Sequence, residues 1–327
     1  MEENVDISVD FAGVGLANPV FTASGTCGYG DELADFTDVN QLGGFITKSI
    51  TLKVRKGNAT PRIVETNSGM LNAIGLANIG LDKFIEEKLP ILEQFTTAVF
   101  VNVAGERIDE YVAVTERLVG EKAIAGLELN ISCPNVSKGG ISFGTEPQQV
   151  TEITSAVKKA AGEKILMVKL SPAVTDISVT ARAAVDGGAD ALSLINTFPA
   201  MAIDIESRKA ILANRTGGLS GPAIKPIAVY LLNKVYNEVA RKSGTPILGL
   251  GGIRNASDAI EFIIAGASGV GVGTANFIEP GCTAKIVEGI KKYCARKEIS
   301  NIKELIGSLL KGNNYSRQNV SHQKSPA

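Results

Sequence analysis

The sequence predicts a single (β/α)8 barrel, the TIM-barrel fold of class α/β, with long βα loops covering its C-terminal face. Short apolar or β-branched segments recur eight times, helical patterns lie between them, and no linker interrupts the series. A chain of 327 residues that is 44% apolar suffices for one domain of barrel size. We expect the barrel to occupy residues 1–311 and a polar, disordered tail to occupy residues 312–327.

The strands are predicted where the chain is almost continuously apolar, as in a sheet that is buried on both faces. They are residues 19–23, 43–48, 97–103, 125–131, 164–170, 189–196, 245–250 and 268–273. Helices are expected near 31–40, 82–95, 106–119, 146–161, 176–187, 222–242, 255–265 and 280–296. Thr145 and Gln148 suggest a capping box with Pro147 in the first turn, and Gly266 is expected to end the seventh helix, which begins near Asn255.

Two connections are far longer than ordinary βα loops, residues 50–81 after the second strand and 197–221 after the sixth. Both follow strands, so both would lie at the same end of a barrel. Active sites of barrels form at the C-terminal ends of the strands. We therefore expect these segments to cover a substrate.

Composition favours a small-molecule partner. The 33 basic residues nearly balance 34 acidic ones, which predicts binding to neither nucleic acid nor an anionic membrane. Charged residues make up only 20% of the chain, which suggests that another subunit covers some apolar surface. The acidic start lacks a signal pattern and no apolar run approaches the ~18 residues of a membrane span, so a cytoplasmic location is expected.

The cysteines and the histidine limit the available chemistry. Cys27, Cys133, Cys282 and Cys294 are widely spaced and form no CxxC pair or iron–sulfur run, so neither a metal site nor a disulfide framework is predicted. The single histidine, His322, lies in the polar tail. Proton chemistry in the barrel must therefore use another side chain.

Polar groups and glycines stand at the ends of all eight predicted strands. They are Ser24, Lys48, Asn102, Asn130, Lys169, Asn196 with Thr197, Gly251 with Gly252, and Gly273 with Thr274. One such residue is more often a partner for loop hydrogen bonds than a functional group. The complete set on one face indicates a binding site.

Glycines after the last two strands, in GLGGI (249–253) and GVGTANF (271–277), would let backbone N–H groups approach a phosphate. Each motif alone also fits a tight turn. Neither matches the dinucleotide fingerprint GxGxxG, so no nicotinamide site is predicted on this chain.

Lys48 and Lys169 end apolar strands, where a buried ammonium needs an anionic partner. A reduced flavin would supply one, and a lysine that extends to the barrel mouth is the alternative. Cys133 lies in NISCPN (130–135) after the fourth strand, with Pro134 fixing the backbone. Without a histidine in the barrel, its thiolate is the best base available near neutral pH.

The motifs together resemble dihydroorotate dehydrogenase from about residue 5 to 295. They are TASGTCGYG (22–30), ITKSIT (46–51), NSGMLNAIGL (67–76), NISCPN, LSPAVTDI (170–177), GGLSGPAIKP (217–226) and VGVGTANF (270–277). The resemblance implies oxidation of dihydroorotate to orotate in pyrimidine synthesis, with FMN at the barrel mouth and Cys133 as the base.

The resemblance also implies a set of binding residues. FMN contacts are expected at Ser24, Lys48, Ser49, Asn102, Asn130, Lys169, Ile195, Gly221, Gly251, Gly252, Gly273 and Thr274. Substrate contacts are expected at Lys48, Asn72, Ala73, Ile74, Gly75, Leu76, Asn130, Asn196 and Thr197. Amides suit dihydroorotate because they donate to its carboxylate and carbonyls and accept from its ring N–H groups.

Among the classes of that family, LNAIGLANIG and GGLSGPAIKP look most like the NAD-linked class. There, a homodimer of the FMN chain joins a partner that carries FAD and a [2Fe–2S] cluster. The fumarate-linked class, a related pyrimidine-reducing flavoprotein such as the pyrimidine domain of dihydropyrimidine dehydrogenase, and a non-redox barrel that binds a phosphorylated ligand remain as alternatives.

Overall fold

The computed structural model describes residues 5–34, 36–132, 134–135 and 141–310. Cys133 and the predicted tail at 312–327 thus lie outside the described residues. Eight parallel strands form a closed barrel. They are β1 (Val20–Thr22), β2 (Gly44–Ile46), β3 (Ala98–Val103), β4 (Ile124–Asn130), β5 (Ile165–Lys169), β6 (Ala191–Leu194), β7 (Ile247–Leu250) and β8 (Gly269–Val272).

Each barrel strand pairs in parallel with the next one along the chain, and β8 closes the ring by pairing with β1, where Val270 lies opposite Val20. The predicted barrel and its eight strands are therefore confirmed. Most observed strands are one or two residues shorter than predicted at one or both ends, most clearly β6, which spans Ala191–Leu194.

Helices follow the barrel strands. They are Asp31–Ala34, then Leu81–Lys83 continuing through Phe84–Lys88 and Leu89–Leu92, Ile108–Leu118, Pro147–Ala161, Ile177–Asp186, then Lys225–Val235 continuing through Tyr236–Ala240 and Arg241–Ser243, Ala256–Ala265, Ala275–Ile278 and Cys282–Arg296. Phe84–Lys88 and Tyr236–Ala240 are π-helical turns. Short 3-10 turns lie at Val39–Gln41, Phe143–Thr145, Pro222–Ile224 and Ile302–Leu305.

The first predicted helix is wrong in extent, because the helix ends at Ala34 and a 3-10 turn covers Val39–Gln41. The Asp38 side chain accepts from the backbone N–H of Asn40 at 2.9 Å. Local bonds of this kind compete with a continuous helix.

The predicted capping box at Thr145 is also wrong. The helix Pro147–Ala161 has Glu146 at its N-cap with no side-chain cap, while Thr145 belongs to the preceding 3-10 turn. Proline at the first helical position is confirmed. So is the seventh helix, where Asn255 accepts from the N–H of Asp258 at 3.0 Å and Gly266 follows the last residue with φ 125°.

A hairpin of Val9–Phe11 and Val14–Leu16 packs against the barrel core. The Phe11 ring centroid lies 5.4 Å from that of Phe21 and 6.2 Å from that of Phe100. Glycines at neighbouring strand positions make room for these rings, because a Cβ on Gly44 would come within 2.1 Å of the Phe21 ring and one on Gly126 within 2.7 Å of the Phe100 ring.

The two long loops pair with each other in a four-stranded antiparallel sheet. Its order is Phe198–Ala200, Gly217–Ser220, Gly69–Asn72 and Ile63–Thr66. The central pair joins residues from the loops after β2 and β6, with Leu219 opposite Leu71. The expectation that both loops lie together is thus confirmed, while their pairing as a sheet was not predicted. Two small hairpins, Pro134–Asn135 with Ile141–Ser142 and Ile203–Asp204 with Lys209–Ala210, complete the strands.

None of the helices in the described part of the chain combines the length and the apolar character needed to cross a lipid bilayer.

Candidate active site

Backbone hydrogen bonds join the predicted site residues on the β1, β2 and β3 side of the mouth. The Lys48 N–H donates to the Gly28 carbonyl at 2.8 Å, and the Ile50 N–H donates to the Asn102 carbonyl at 2.8 Å. Ser49 lies between these two bonds and is 8% exposed. The TASGTCGYG and ITKSIT motifs therefore meet beside Asn102.

The opposite side of the mouth is joined in the same way. The Ile195 N–H donates to the Leu250 carbonyl at 3.1 Å, which places Ile195 next to Gly251. The Thr274 hydroxyl donates to the Ser220 hydroxyl at 2.8 Å, which links the loop after β8 to the long loop after β6. The peptide bond between Leu194 and Ile195 is cis.

Two asparagines hold the backbone that leads to Cys133. The Asn130 side-chain oxygen accepts from the Ser132 N–H at 3.3 Å, and the Asn196 amide donates to the Ser132 hydroxyl at 2.8 Å. The Tyr111 hydroxyl donates to the Asn130 carbonyl at 2.8 Å. The residue before the predicted base is thereby fixed from both β4 and β6.

Three predicted glycines have backbone conformations that favour glycine and lie against one another. Gly221, Gly251 and Gly252 have φ of 92°, 134° and 79°. A Cβ on Gly252 would come within 2.7 Å of the Gly221 carbonyl oxygen, and one on Gly221 within 2.8 Å of the Gly69 Cα. The backbone here is too close-packed for side chains, and we call these three glycines the cradle.

Glu128 on β4, whose side chain is fully buried, was not among the predicted residues of the mouth. Its Oε2 accepts from the Asn102 Nδ2 at 2.5 Å and lies 3.6 Å from the Lys169 Nζ. Its Oε1 accepts from the Ser193 hydroxyl at 2.8 Å. The signal that could have found it is a carboxylate inside the apolar run IAGLELN, where a charged residue is rarely left without partners.

Glu128 changes the interpretation of the two lysines. Lys169 is 6% exposed, and a protein carboxylate supplies the anionic partner that was expected only from a flavin. Lys48 is half-buried, and no carboxylate in the described ranges lies within ion-pair distance of it. The two ammonium groups therefore differ: that of Lys169 lies beside a carboxylate, and that of Lys48 does not.

The predicted substrate residues divide into two groups. Asn72 donates to the Gly218 carbonyl at 3.4 Å, and a Cβ on Gly218 would come within 2.0 Å of the Thr197 hydroxyl oxygen. Asn72 and Thr197 thus flank one glycine of the mouth sheet. By contrast, the backbone of Ala73 and of Ile74 forms hydrogen bonds with Arg62 and Asn58 of their own loop, and a Cβ on Gly75 would also meet Asn58. Leu76 has φ 55° and its carbonyl accepts from Asn78.

The other cysteines are poor candidates for a base. Cys27, Cys282 and Cys294 are each at most 3% exposed, and burial raises the pKa of all three thiols. No group of three or more His, Cys, Asp or Glu side chains among the described residues is arranged to hold a metal ion.

The fold is that of a TIM-barrel enzyme, and the predicted strand-end residues gather at the C-terminal mouth, where enzymes of this fold bind their ligands. The family model described as dihydroorotate dehydrogenase matches residues 6–294. This chain therefore belongs to the dihydroorotate dehydrogenase family.

Curated relatives are similar in sequence to this chain along almost its whole length. "Dihydroorotate dehydrogenase B (NAD(+)), catalytic subunit" of Geotalea uraniireducens is 52% identical over 305 residues, 93% of this chain and 98% of the relative. The protein of the same name from Alkaliphilus metalliredigens is 53% identical over 305 residues, with 93% and 99% covered. The solved structure of Eimeria tenella DHODH in complex with ferulenol aligns with TM-score 0.76 at 23% identity, over 93% of this chain and 88% of that one, and supports the fold.

The residues of the mouth fit the FMN that the family implies. The Oδ1 of Asn102 is buried and has no hydrogen-bond partner in the described part of the chain, although an unsatisfied buried carbonyl costs ~1–3 kcal/mol. The carboxylate of Glu128 holds the amide in this orientation by accepting from Nδ2. A buried acceptor without a partner, two lysines at strand ends and close-packed glycines suit the donors, acceptors and phosphate of FMN.

Proposed function

We propose that this chain is the FMN-carrying catalytic subunit of an NAD-linked dihydroorotate dehydrogenase, which oxidises (S)-dihydroorotate to orotate in de novo synthesis of UMP. The observation that carries the proposal is the joined set of strand-end groups at one mouth, with the unpartnered Asn102 oxygen at its base. High identity to NAD-linked catalytic subunits supports the class. It also disfavours the fumarate-linked and non-redox alternatives.

FMN would be held by the residues that border the mouth. Gly221, Gly251, Gly252, Gly273 and Thr274 would supply backbone N–H groups for the phosphate. Ser24, Lys48, Ser49, Asn102, Asn130, Lys169 and Ile195 are assigned to the flavin ring system and its polar edge. When bound, FMN accepts a hydride from a ring carbon of dihydroorotate.

The chain itself binds and orients the substrate. Asn72 and Thr197 flank Gly218 in the sheet over the mouth, where their side chains can meet a ligand that also contacts Asn130 and Asn196. Lys48 supplies a cation for the substrate carboxylate. We also assign Ala73, Ile74, Gly75 and Leu76 to the substrate, through the loop that they occupy.

Cys133 is the proposed base, which removes the ring-carbon proton. Its position in the structure lies outside the described residues, and the support comes from its neighbours. Asn130 and Asn196 anchor Ser132 directly before it, and the three other thiols are buried with raised pKa. Cys133 is therefore the thiol that we assign to the mouth.

Cys133→Ala should keep FMN bound and slow flavin reduction by dihydroorotate at least ~100-fold, the lower range for a lost general base. Stopped-flow absorbance of the flavin measures this step directly. Cys294→Ala, at a buried thiol away from the mouth, is the matched control and should reduce at the parental rate. Cys133→Ser should recover as pH rises. Parental reduction by Cys133→Ala would remove this residue from the mechanism.

The proposal includes a homodimer of this chain and an electron-transfer partner that carries FAD and a [2Fe–2S] cluster. Large apolar side chains on the surface, among them Ile205 at 80%, Ile278 at 76% and Tyr230 at 65% exposed, support contacts with other subunits. A cytoplasmic location, expected from the sequence, is part of the proposal.

Co-purification from the native host, followed by an acceptor assay, tests the electron path. We expect a flavin and iron–sulfur protein in the complex, with NAD+ reduced by dihydroorotate only when that protein is present. Rapid fumarate reduction by the lone chain would assign the fumarate-linked class instead. Faster turnover of dihydrouracil than of dihydroorotate would assign a different pyrimidine.

A further inference from the structure

Four buried polar side chains on consecutive strands form one cluster in the barrel, which we call the Glu128 cluster. Its members are Asn102 on β3, Glu128 on β4, Lys169 on β5 and Ser193 on β6. In register, Asn102 lies opposite Glu128 and Lys169 lies opposite Ser193. All four are at most 6% exposed. The charge of a carboxylate at this depth is screened by solvent only weakly.

The ion pair in this cluster is not saturated. The Lys169 Nζ lies 3.6 Å from the Glu128 Oε2, whereas a charge-assisted N–H···O bond is typically ~2.7–2.9 Å. An ammonium has three donors, and the described side chains show no other partner for this one. Lys169 therefore keeps donors for a ligand, while Glu128 offsets its charge.

The hydrogen bonds of Glu128 also determine the orientation of Asn102. A carboxylate accepts and does not donate, so the group facing it must be the Nδ2 of the amide. The Oδ1 is thereby turned away and left as a buried acceptor without a partner in the described ranges. The Glu128 carboxylate thus contacts both the Lys169 ammonium and the Asn102 amide, the two groups that are free to bind a ligand.

We propose that Glu128 is a positioning residue that orients Asn102 and Lys169 and whose buried charge lowers the reduction potential of the FMN bound at the mouth. The proposal rests on the proposed function, which places FMN there. Reduction adds negative charge to the flavin, and a nearby carboxylate opposes that change. A lower potential favours the passage of electrons to NAD+, which is a weak oxidant.

The test is a spectroelectrochemical titration of the full chain loaded with FMN. Glu128→Gln removes the charge at nearly constant shape and should favour the reduced form at least tenfold, which raises the two-electron potential by about 30 mV. Lys169→Gln removes the opposite charge and should lower the potential. Glu116→Gln, on an exposed helical position, is the matched control and should leave the potential unchanged.

FMN affinity provides a second readout, measured by flavin fluorescence. Glu128→Gln should bind FMN about fivefold more weakly, because a neutral amide oxygen holds the Asn102 amide less firmly than a charged carboxylate does. A purely structural role would weaken binding in both variants without moving their potentials in opposite directions. An unchanged potential in Glu128→Gln, or shifts of the same sign in the two variants, would overturn the proposal.

Ser193→Ala tests the same idea if Glu128→Gln does not fold. It keeps the carboxylate but removes the hydroxyl that donates to Oε1. Without that donor, the negative charge of the Glu128 carboxylate is less dispersed. The reduction potential should therefore fall, by less than the rise expected for Glu128→Gln. An unchanged potential would count against the proposal. Wild-type chain that takes up no FMN would instead refute the proposed function, so the two failures are distinguishable.

Discussion

At the scale of single residues, burial separates the thiols of this protein by their chemistry. Desolvation raises the pKa of Cys27 and of Cys282 to about 11 from an ordinary value of 9.0. The Cys27 sulfur lies 3.5 Å from the Thr26 hydroxyl, which offsets only part of this effect. These thiols stay protonated and unreactive near neutral pH.

Because the pKa of Cys27 is raised in the folded protein, the free energy of unfolding should decrease at alkaline pH. Its protonated form is favoured in the folded state, so its contribution is complete below pH 9 and is lost as pH rises toward 11. At pH ~10.5 the free energy of unfolding should be lower by about 2 kcal/mol from this group. Urea unfolding near pH 8 and near pH 10.5 measures the change.

Cys27→Ala serves as the comparison for that measurement. The variant should be less stable at both pH values because of the cavity it leaves. Between the two pH values, however, its free energy of unfolding should fall by about 2 kcal/mol less than that of the parent. Equal losses in parent and variant would show that another group causes the pH dependence.

At the scale of elements, the loops at the strand ends depend on glycines for two separate reasons. Gly252 has φ 79°, and a Cβ there would come within 2.7 Å of the Gly221 carbonyl oxygen. Gly244 has φ 75°, but a Cβ there would meet nothing within 4 Å. A substitution at Gly244 therefore introduces backbone strain alone, whereas one at Gly252 introduces both strain and a steric clash.

Gly252→Ala should weaken FMN binding at least about tenfold, because a distortion of ~1.4 kcal/mol in the cradle is enough. Gly244→Ala shares the strain of ~1–2 kcal/mol from positive φ but should bind FMN as the parent does. Titration of the apoprotein with FMN, followed by flavin fluorescence, compares them. Equal affinities in the two variants would argue against a role for Gly252 in the cradle.

At the scale of the whole molecule, the two ends of the barrel have different tasks. The mouth carries the polar groups and the sheet of the two long loops. Aromatic rings of Phe11, Phe21 and Phe100 pack together elsewhere in the core, and all three are fully buried. Stability and ligand binding should therefore respond to different substitutions.

Phe11→Ala should lower the free energy of unfolding by ~3–5 kcal/mol, the usual loss for a buried aromatic ring. Phe36→Ala, at a ring that is 64% exposed, is the control and should change it by less than ~0.5 kcal/mol. Chemical denaturation measures both. FMN affinity of folded Phe11→Ala should equal that of the parent, and a large loss would show that the hairpin also shapes the mouth.

Much of the fold could be predicted from local patterns. Alternating apolar runs and helical segments determine eight βα units, and parallel strands place all their C-terminal ends on one side. The strand-end residues Lys48, Asn102, Asn130 and Lys169 could be selected for that reason. The errors were local, at the first helix and at Thr145, where short-range hydrogen bonds decide the boundary.

The sequence by itself thus determined the barrel, the family and the face on which the strand-end groups gather, because hydrophobic periodicity and strand-end motifs are local properties of the chain. Only the tertiary structure decided that the two long loops form one sheet and that Glu128 joins Asn102, Lys169 and Ser193. Those contacts link residues up to 150 positions apart. The partners of a buried charge depend on strand register around the closed barrel, which no local pattern contains.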